Sequence, residues 1–177
     1  MWAGADVANR IKFTDVAQKS QHIARARVCD LFLDTPECNA HTTAADILWS
    51  GTPLLTLPRY KYKMCSRMAA SILKGALPKS PEGAQAAKEL IASSDEDYED
   101  KAVRLGRDCI YQGHRATGRL SQLRRLLYES RWSSALFDTK RWVRDLEDAY
   151  EISWKKWERG EGGDIWLPPL QKPLRAA

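Results

Sequence analysis

The rhythm of apolar and polar positions changes along this chain. Arg10-Ile11-Lys12-Phe13-Thr14-Asp15-Val16 alternates with a period of two, which predicts a strand. Gln18 to Arg27 follows as a short helix carrying His22 and Arg25. Cys29-Asp30-Leu31-Phe32-Leu33 predicts a second strand, apolar enough for burial on both faces, as in parallel sheets. Thr43 to Trp49 reads as a helix that Gly51 stops. Leu54-Leu55-Thr56-Leu57 is a third strand, bounded by Pro53 and Pro58. The alternation β-α-β-α-β predicts a parallel sheet with crossover helices.

Beyond Pro58 the pattern turns helical. Met64 to Lys74 predicts one helix, and Leu77 to Gly83 a turn or inserted surface loop. Ser94, followed by Asp95, Glu96 and Asp97, predicts a capped helix start running to about Tyr111. Thr117 to Ser130 places Leu120, Leu123, Leu126 and Leu127 on one helical face. Asp138 to Arg159 is the last helix, with Trp142, Leu146, Tyr150 and Trp157 near helical spacing and its tryptophans expected in the core. The expected fold class is α/β: a partial Rossmann-like parallel sheet of about three strands, then a helical C-terminal region. A full doubly wound domain has about five or six strands, so the chain reads as the C-terminal half of a nucleotide-binding lobe. Residues 1–160 are expected to form that unit and 161–177 a flexible tail.

Composition narrows the class. The 177 residues are 44% hydrophobic, which excludes a disordered composition. No apolar run reaches the roughly eighteen residues of a membrane span, and Met1 to Asp6 lacks the signature of a signal peptide. A soluble intracellular protein is the default expectation. The four cysteines, Cys29, Cys38, Cys65 and Cys109, show no C-x-x-C spacing, so reduced thiols are expected and neither zinc nor a redox pair. A net charge of +5 suits a polyanionic partner without requiring one.

The chemistry concentrates where the second strand ends. Leu33-Asp34-Thr35-Pro36-Glu37-Cys38-Asn39-Ala40-His41-Thr42-Thr43 runs from a strand through a polar loop into a helix N-terminus. Such a terminus offers unpartnered N–H groups and the positive end of the helix dipole. Thr42 and Thr43 add hydroxyls, His41 a ring nitrogen, and Asp46 a carboxylate one turn on. This combination suits a nucleotide or nucleotide sugar. Lys19, His22 and Arg25 are spaced three apart and share one helical face, as a base-reading surface requires.

Several of these segments form a longer pattern. Phe13-Thr14-Asp15-Val16-Ala17-Gln18-Lys19-Ser20-Gln21-His22-Ile23, Asp30-Leu31-Phe32-Leu33-Asp34-Thr35-Pro36, Asn39-Ala40-His41-Thr42-Thr43 and Asp46-Ile47-Leu48-Trp49-Ser50-Gly51-Thr52-Pro53 closely resemble the C-terminal catalytic lobe of protein O-linked N-acetylglucosamine transferases, plant-type members most of all. The resemblance resumes at Arg67-Met68-Ala69-Ala70-Ser71 and at Ala135-Leu136-Phe137-Asp138-Thr139-Lys140-Arg141-Trp142. It implies part of a two-lobed glycosyltransferase of the B architecture. The donor would be UDP-N-acetylglucosamine, the acceptor a Ser or Thr hydroxyl of an intracellular protein in cytoplasm or nucleus, and no metal or other cofactor would be used. By the same matching, Ala17, Lys19, His22 and Arg25 would read the uridine. His41, Thr42 and Thr43 would hold the diphosphate and Asp46 the ribose. His41 would stabilise the departing UDP. Relatives usually carry glycine where Ala40 and Ala44 stand.

The resemblance also implies what the chain lacks. The family's proposed base, its acceptor-binding groups and its tetratricopeptide repeats precede this segment, and no Asp or Glu here is assignable as the general base. Two other classes stay open on sequence grounds. One is a truncated or degenerate module serving only in protein interaction. The other is a basic nucleic-acid-binding domain, against which stands the lack of aromatic-basic interleaving.

Overall fold

The computed structural model describes residues 4–167. Its centre is a short parallel sheet. Strand β1 (Phe32–Leu33) pairs with β2 (Leu54–Leu55), Phe32 opposite Leu54 and Leu33 opposite Leu55. A third position joins on the other side, where Thr56 bridges Ile91 in parallel. Thr56 N donates to Leu90 O at 3.0 Å and Ala92 N to Thr56 O at 2.9 Å.

Helices make the crossovers. Helix α1 (Gly4–Arg10) and α2 (Lys19–Ala26) precede the sheet, and α3 (Thr42–Trp49) connects β1 to β2. A 3-10 turn (Met64–Ser66), α4 (Met68–Ala76) and α5 (Pro81–Leu90) lead back to the bridge at Ile91. Then come α6 (Asp95–Arg107), a hairpin of β3 (Ile110–Gln112) and β4 (Arg115–Thr117), α7 (Arg119–Ser130) and α8 (Thr139–Glu158). The core is one cluster, with Leu48, Leu54, Leu73, Leu90, Leu123 and Leu127 at its centre. Helix α7 supplies the stripe Leu120, Leu123 and Leu127 that the spacing predicts, with Leu126 packed at its edge.

The α/β class holds, and several local expectations change: the helix expected over Met64–Lys74 is split at Arg67, and four further changes follow. Residues 10–16 form no strand: Arg10 ends α1 and the following residues are irregular. Phe13 is 96% and Val16 100% exposed, so the alternation has no sheet edge to bury against. The sheet's third position is instead the segment at Ile91. Second, Pro81 to Gly83 is the first turn of α5, not loop: Ser80 Oγ accepts from Gly83 N at 3.2 Å and Pro81 occupies the first turn, where a missing N–H costs nothing. Third, α6 ends at Arg107, and Tyr111 lies in the hairpin, whose two-residue turn puts Gly113 at φ +62°. Fourth, no residue of α8 is buried, and Trp142, Trp154 and Trp157 are 60%, 60% and 70% exposed. Gly160 and Gly163, at positive φ, flank the start of the expected tail at 161, of which residues 168–177 lie outside the described residues.

Candidate functional site

The C-terminal end of β1 delivers a fixed loop. Asp34, 3% exposed, ends the strand. Its carboxylate accepts from Ala40 N and from Thr56 Oγ1, each at 2.7 Å, and closes residues 34–40 into a ring. Burial pushes this carboxyl above the usual carboxylate range, against the opposing pull of both donors. Tyr98 OH donates to Asp34 O at 2.8 Å, and burial pushes that phenol up to about 12. Within the ring, Thr35 Oγ1 donates to Cys38 O at 2.7 Å and Asn39 Nδ2 to Thr35 O at 3.0 Å.

The ring ends at His41, the residue before α3. Its side chain does not cap the helix. Helices α5, α6 and α8 are capped by Ser80, Ser94 and Asp138. The start of α3 therefore keeps its positive end open, with Thr42 and Thr43 in the first turn. His41 Nε2 is buried and has no hydrogen-bond partner among the described residues. A buried orphan of this kind costs roughly 1–3 kcal/mol, and a ligand that supplies a partner recovers it.

Helix α2 faces this terminus. Thr52 Oγ1 donates to Ala26 O at 2.8 Å and Arg124 Nη1 to Arg27 O at 2.9 Å, which fastens the end of α2 beside β2 and α7. Its first turn then meets α3: Lys19 Nζ lies 2.5 Å from Asp46 Oδ2, and His22 Nε2 lies 3.8 Å from the same oxygen. Lys19, His22 and Asp46 thus converge, one turn along α3 from Thr42 and Thr43. Arg25 points its guanidinium to Asp15 O at 2.7 Å, holding the segment that carries half-buried Ala17.

The other basic residues are more engaged than a solvated face would be. Arg131 is 7% exposed; its guanidinium lies 3.8 Å from the Tyr128 ring centre and 4.9 Å from both Trp49 and Trp132. Arg119 pairs with Glu89 at 2.7 Å, and Arg124 serves backbone carbonyls, leaving Arg125 with its neighbour Glu129 on the surface. Arg59 binds both Glu37 and Asp95, and Lys63 lies 3.6 Å from Glu37, so two of the cations after β2 are already neutralised. An open cleft lined by Glu89, Arg104, Asp108 and Arg119 lies away from the strand ends. Among the described residues no three His, Cys, Asp or Glu side chains gather as a metal site needs.

Comparison with known proteins bears on this arrangement. The model of glycosyl transferase family 41 matches residues 3–146. The chain belongs to glycosyl transferase family 41. The match contains all eight candidate residues and stops within α8. A Caenorhabditis elegans UDP-N-acetylglucosamine–peptide N-acetylglucosaminyltransferase is 39% identical over 152 residues, 86% of this chain and 12% of that protein. The probable Arabidopsis thaliana enzyme of the same description, SEC, is 42% identical over 147 residues, 82% of this chain and 13% of that protein. A solved Thermobaculum terrenum O-GlcNAc transferase mutant superimposes with TM-score 0.67 and 28% identity, over 84% of this chain and 25% of that one. The family 41 chain described here therefore spans only a small part of its relatives' length.

The supports of the His41 loop carry little signal in the sequence. Asp34, Thr56 and Tyr98 lie far apart along the chain, and only Asp34, an acid directly after an apolar strand and before Thr35-Pro36, carried a local signal. No helix of the described residues is long and apolar enough to cross a membrane.

Proposed function

We propose that this chain is the UDP-N-acetylglucosamine-binding portion of a protein O-linked N-acetylglucosamine transferase. The observation that carries the reading is the orphaned His41 Nε2 at the uncapped start of α3, in a family 41 chain. The diphosphate would sit against Thr42, Thr43 and the α3 N-terminus. The helix dipole alone contributes about 0.3–1 kcal/mol, so side-chain donors must share the work. His41, as a donor, would hold the charge that develops on UDP as the sugar departs. Asp46 would exchange its contact with Lys19 for the ribose hydroxyls, freeing Lys19 for the nucleoside. His22 would stack on uracil, a contact type worth roughly 1–3 kcal/mol, with Ala17 and Arg25 framing the base.

Fixed protein donors take the charge in this scheme, so it runs without a metal ion. Acceptor binding and proton removal from the Ser or Thr hydroxyl belong to the preceding lobe of the longer enzyme, working in cytoplasm or nucleus. The isolated chain would bind the donor without transferring it. Ala44 is fully buried against the core, so a methyl group there does not crowd the ligand side.

Calorimetric titration of the full chain with UDP tests the reading. His41→Ala removes one charge-assisted hydrogen bond of about 1.5–3 kcal/mol, an expected affinity loss of roughly 10- to 100-fold. Unchanged UDP affinity in a folded His41→Ala variant would contradict it.

A further inference from the structure

Two of the four cysteines are brought together by the fold, although 38 and 65 share no sequence motif. Cys38 is exposed on the ring that precedes His41, and Cys65 is half-buried in the 3-10 turn before α4. Cys65 is the neighbour that acts most strongly on the Cys38 thiol. The backbones beside them are laced together independently. Asn39 N donates to Cys65 O at 2.8 Å, and Ser66 Oγ to Pro36 O at 2.7 Å. Cys65 Sγ also lies 3.8 Å from Glu37 O. A disulfide needs converging Cβ atoms and Cα atoms within about 7 Å, and two cysteines on backbones hydrogen-bonded to each other offer that frame.

We propose that Cys38 and Cys65 are a thiol–disulfide modification site, oxidised reversibly to a bond that ties the His41 loop to the turn before α4. The oxidant is a low-molecular-weight disulfide such as oxidised glutathione. A thiolate of the pair attacks one sulfur of that disulfide, and a glutathione thiolate leaves and takes up a proton. The second cysteine loses its proton to solvent and attacks the protein sulfur of the mixed disulfide, releasing the second glutathione. Two protein thiols become one disulfide, and one glutathione disulfide becomes two thiols. The hydrogen bond to Cys65 pushes the Cys38 thiol up, while Lys63 pulls it the other way. A raised Cys38 thiol holds less thiolate, so exchange there follows the surrounding thiol pool. The two segments are already bonded to each other, so the bond forms without unfolding either, and it adds a covalent tie to a loop that Asp34 holds from inside.

The test equilibrates the full chain in buffers of reduced and oxidised glutathione, traps free thiols with an alkylating reagent, and reads intact mass and tryptic peptides. The expected product has lost two alkylation sites. Its linked peptide joins residues 28–59 to 64–67, with fragmentation placing the bond at Cys38. Proximity raises the yield of this pair about tenfold or more over any other. The double variant Cys29→Ser, Cys109→Ser keeps the link, and Cys38→Ser or Cys65→Ser abolishes it. Two results overturn the proposal: both thiols remaining alkylated even in fully oxidised glutathione, or an intramolecular link forming equally well in Cys38→Ser.

Discussion

Asp34→Ala is the perturbation that reaches furthest into the site. The carboxylate satisfies Ala40 N and Thr56 Oγ1, each at 2.7 Å, in a place 3% exposed to solvent. Each buried donor left without a partner costs about 1–3 kcal/mol. The Thr56 hydroxyl can turn to another acceptor; the Ala40 N–H cannot. Removing the buried charge returns part of its desolvation cost, so the net loss is about 1–2 kcal/mol, most of it from the stranded Ala40 N–H. Asp34→Asn keeps an oxygen for Ala40 N and presents an NH2 group that the Thr56 hydroxyl can accept, and should cost under about 1 kcal/mol. The charge carries its own signature. The folded carboxyl holds its proton more tightly than the unfolded one, so its contribution is full below the unfolded pKa and is lost as pH rises through the higher folded value. Asp34→Asn removes that decline. Urea denaturation followed by tryptophan fluorescence, at several pH values, measures all three forms. The reasoning fails if Asp34→Ala lies within about 0.5 kcal/mol of the unaltered chain, or if Asn is as damaging as Ala.

Three other outcomes follow from the same structure. Asp97, held by Lys101 and Ser93, has its pKa lowered to about 2 from 3.8, so its contribution is present above the ordinary value and lost as pH falls through about 2; Asp97→Asn should flatten the stability curve over that interval in acid titrations. Arg131→Ala removes the cation seated among Trp49, Tyr128 and Trp132 and its bond to Trp49 O at 3.0 Å, and should cost about 2–4 kcal/mol with a changed fluorescence spectrum, whereas Arg131→Lys should recover only part. Gly118→Ala puts a methyl group 1.9 Å from Asp108 O at φ +91°, and should lower the thermal midpoint by several degrees, about 1–3 kcal/mol.

The segments legible in the sequence are those whose signals are local. Period and caps gave α2, α3 and α7, with Gly51, at φ +85°, ending α3 as expected. Ser94 and Asp138 marked the starts of α6 and α8. What misled was pattern without knowledge of its partner. Alternation at 10–16 describes a two-faced strand only where a neighbouring edge exists, and the edge beside Thr56 is taken by Ile91. The aromatic stripe of α8 has the spacing of a buried face, yet nothing among the described residues covers it. Ser80-Pro81 has the form of a helix start, while the prolines and Gly83 around it equally suit a loop. The site residues at 19–25 and 41–46 were legible as types. That Lys19 and His22 meet at Asp46, and that Arg25 instead holds Asp15, depends on how α2 is pinned by Thr52 and Arg124.

The most direct test of donor binding is a residue-resolved NMR titration of the chain with UDP. The account predicts shifts that saturate and centre on Lys19, His22, His41, Thr42, Thr43 and Asp46, with the cleft of Glu89, Arg104 and Arg119 silent. Shifts confined to that cleft, or none at millimolar UDP, would contradict it.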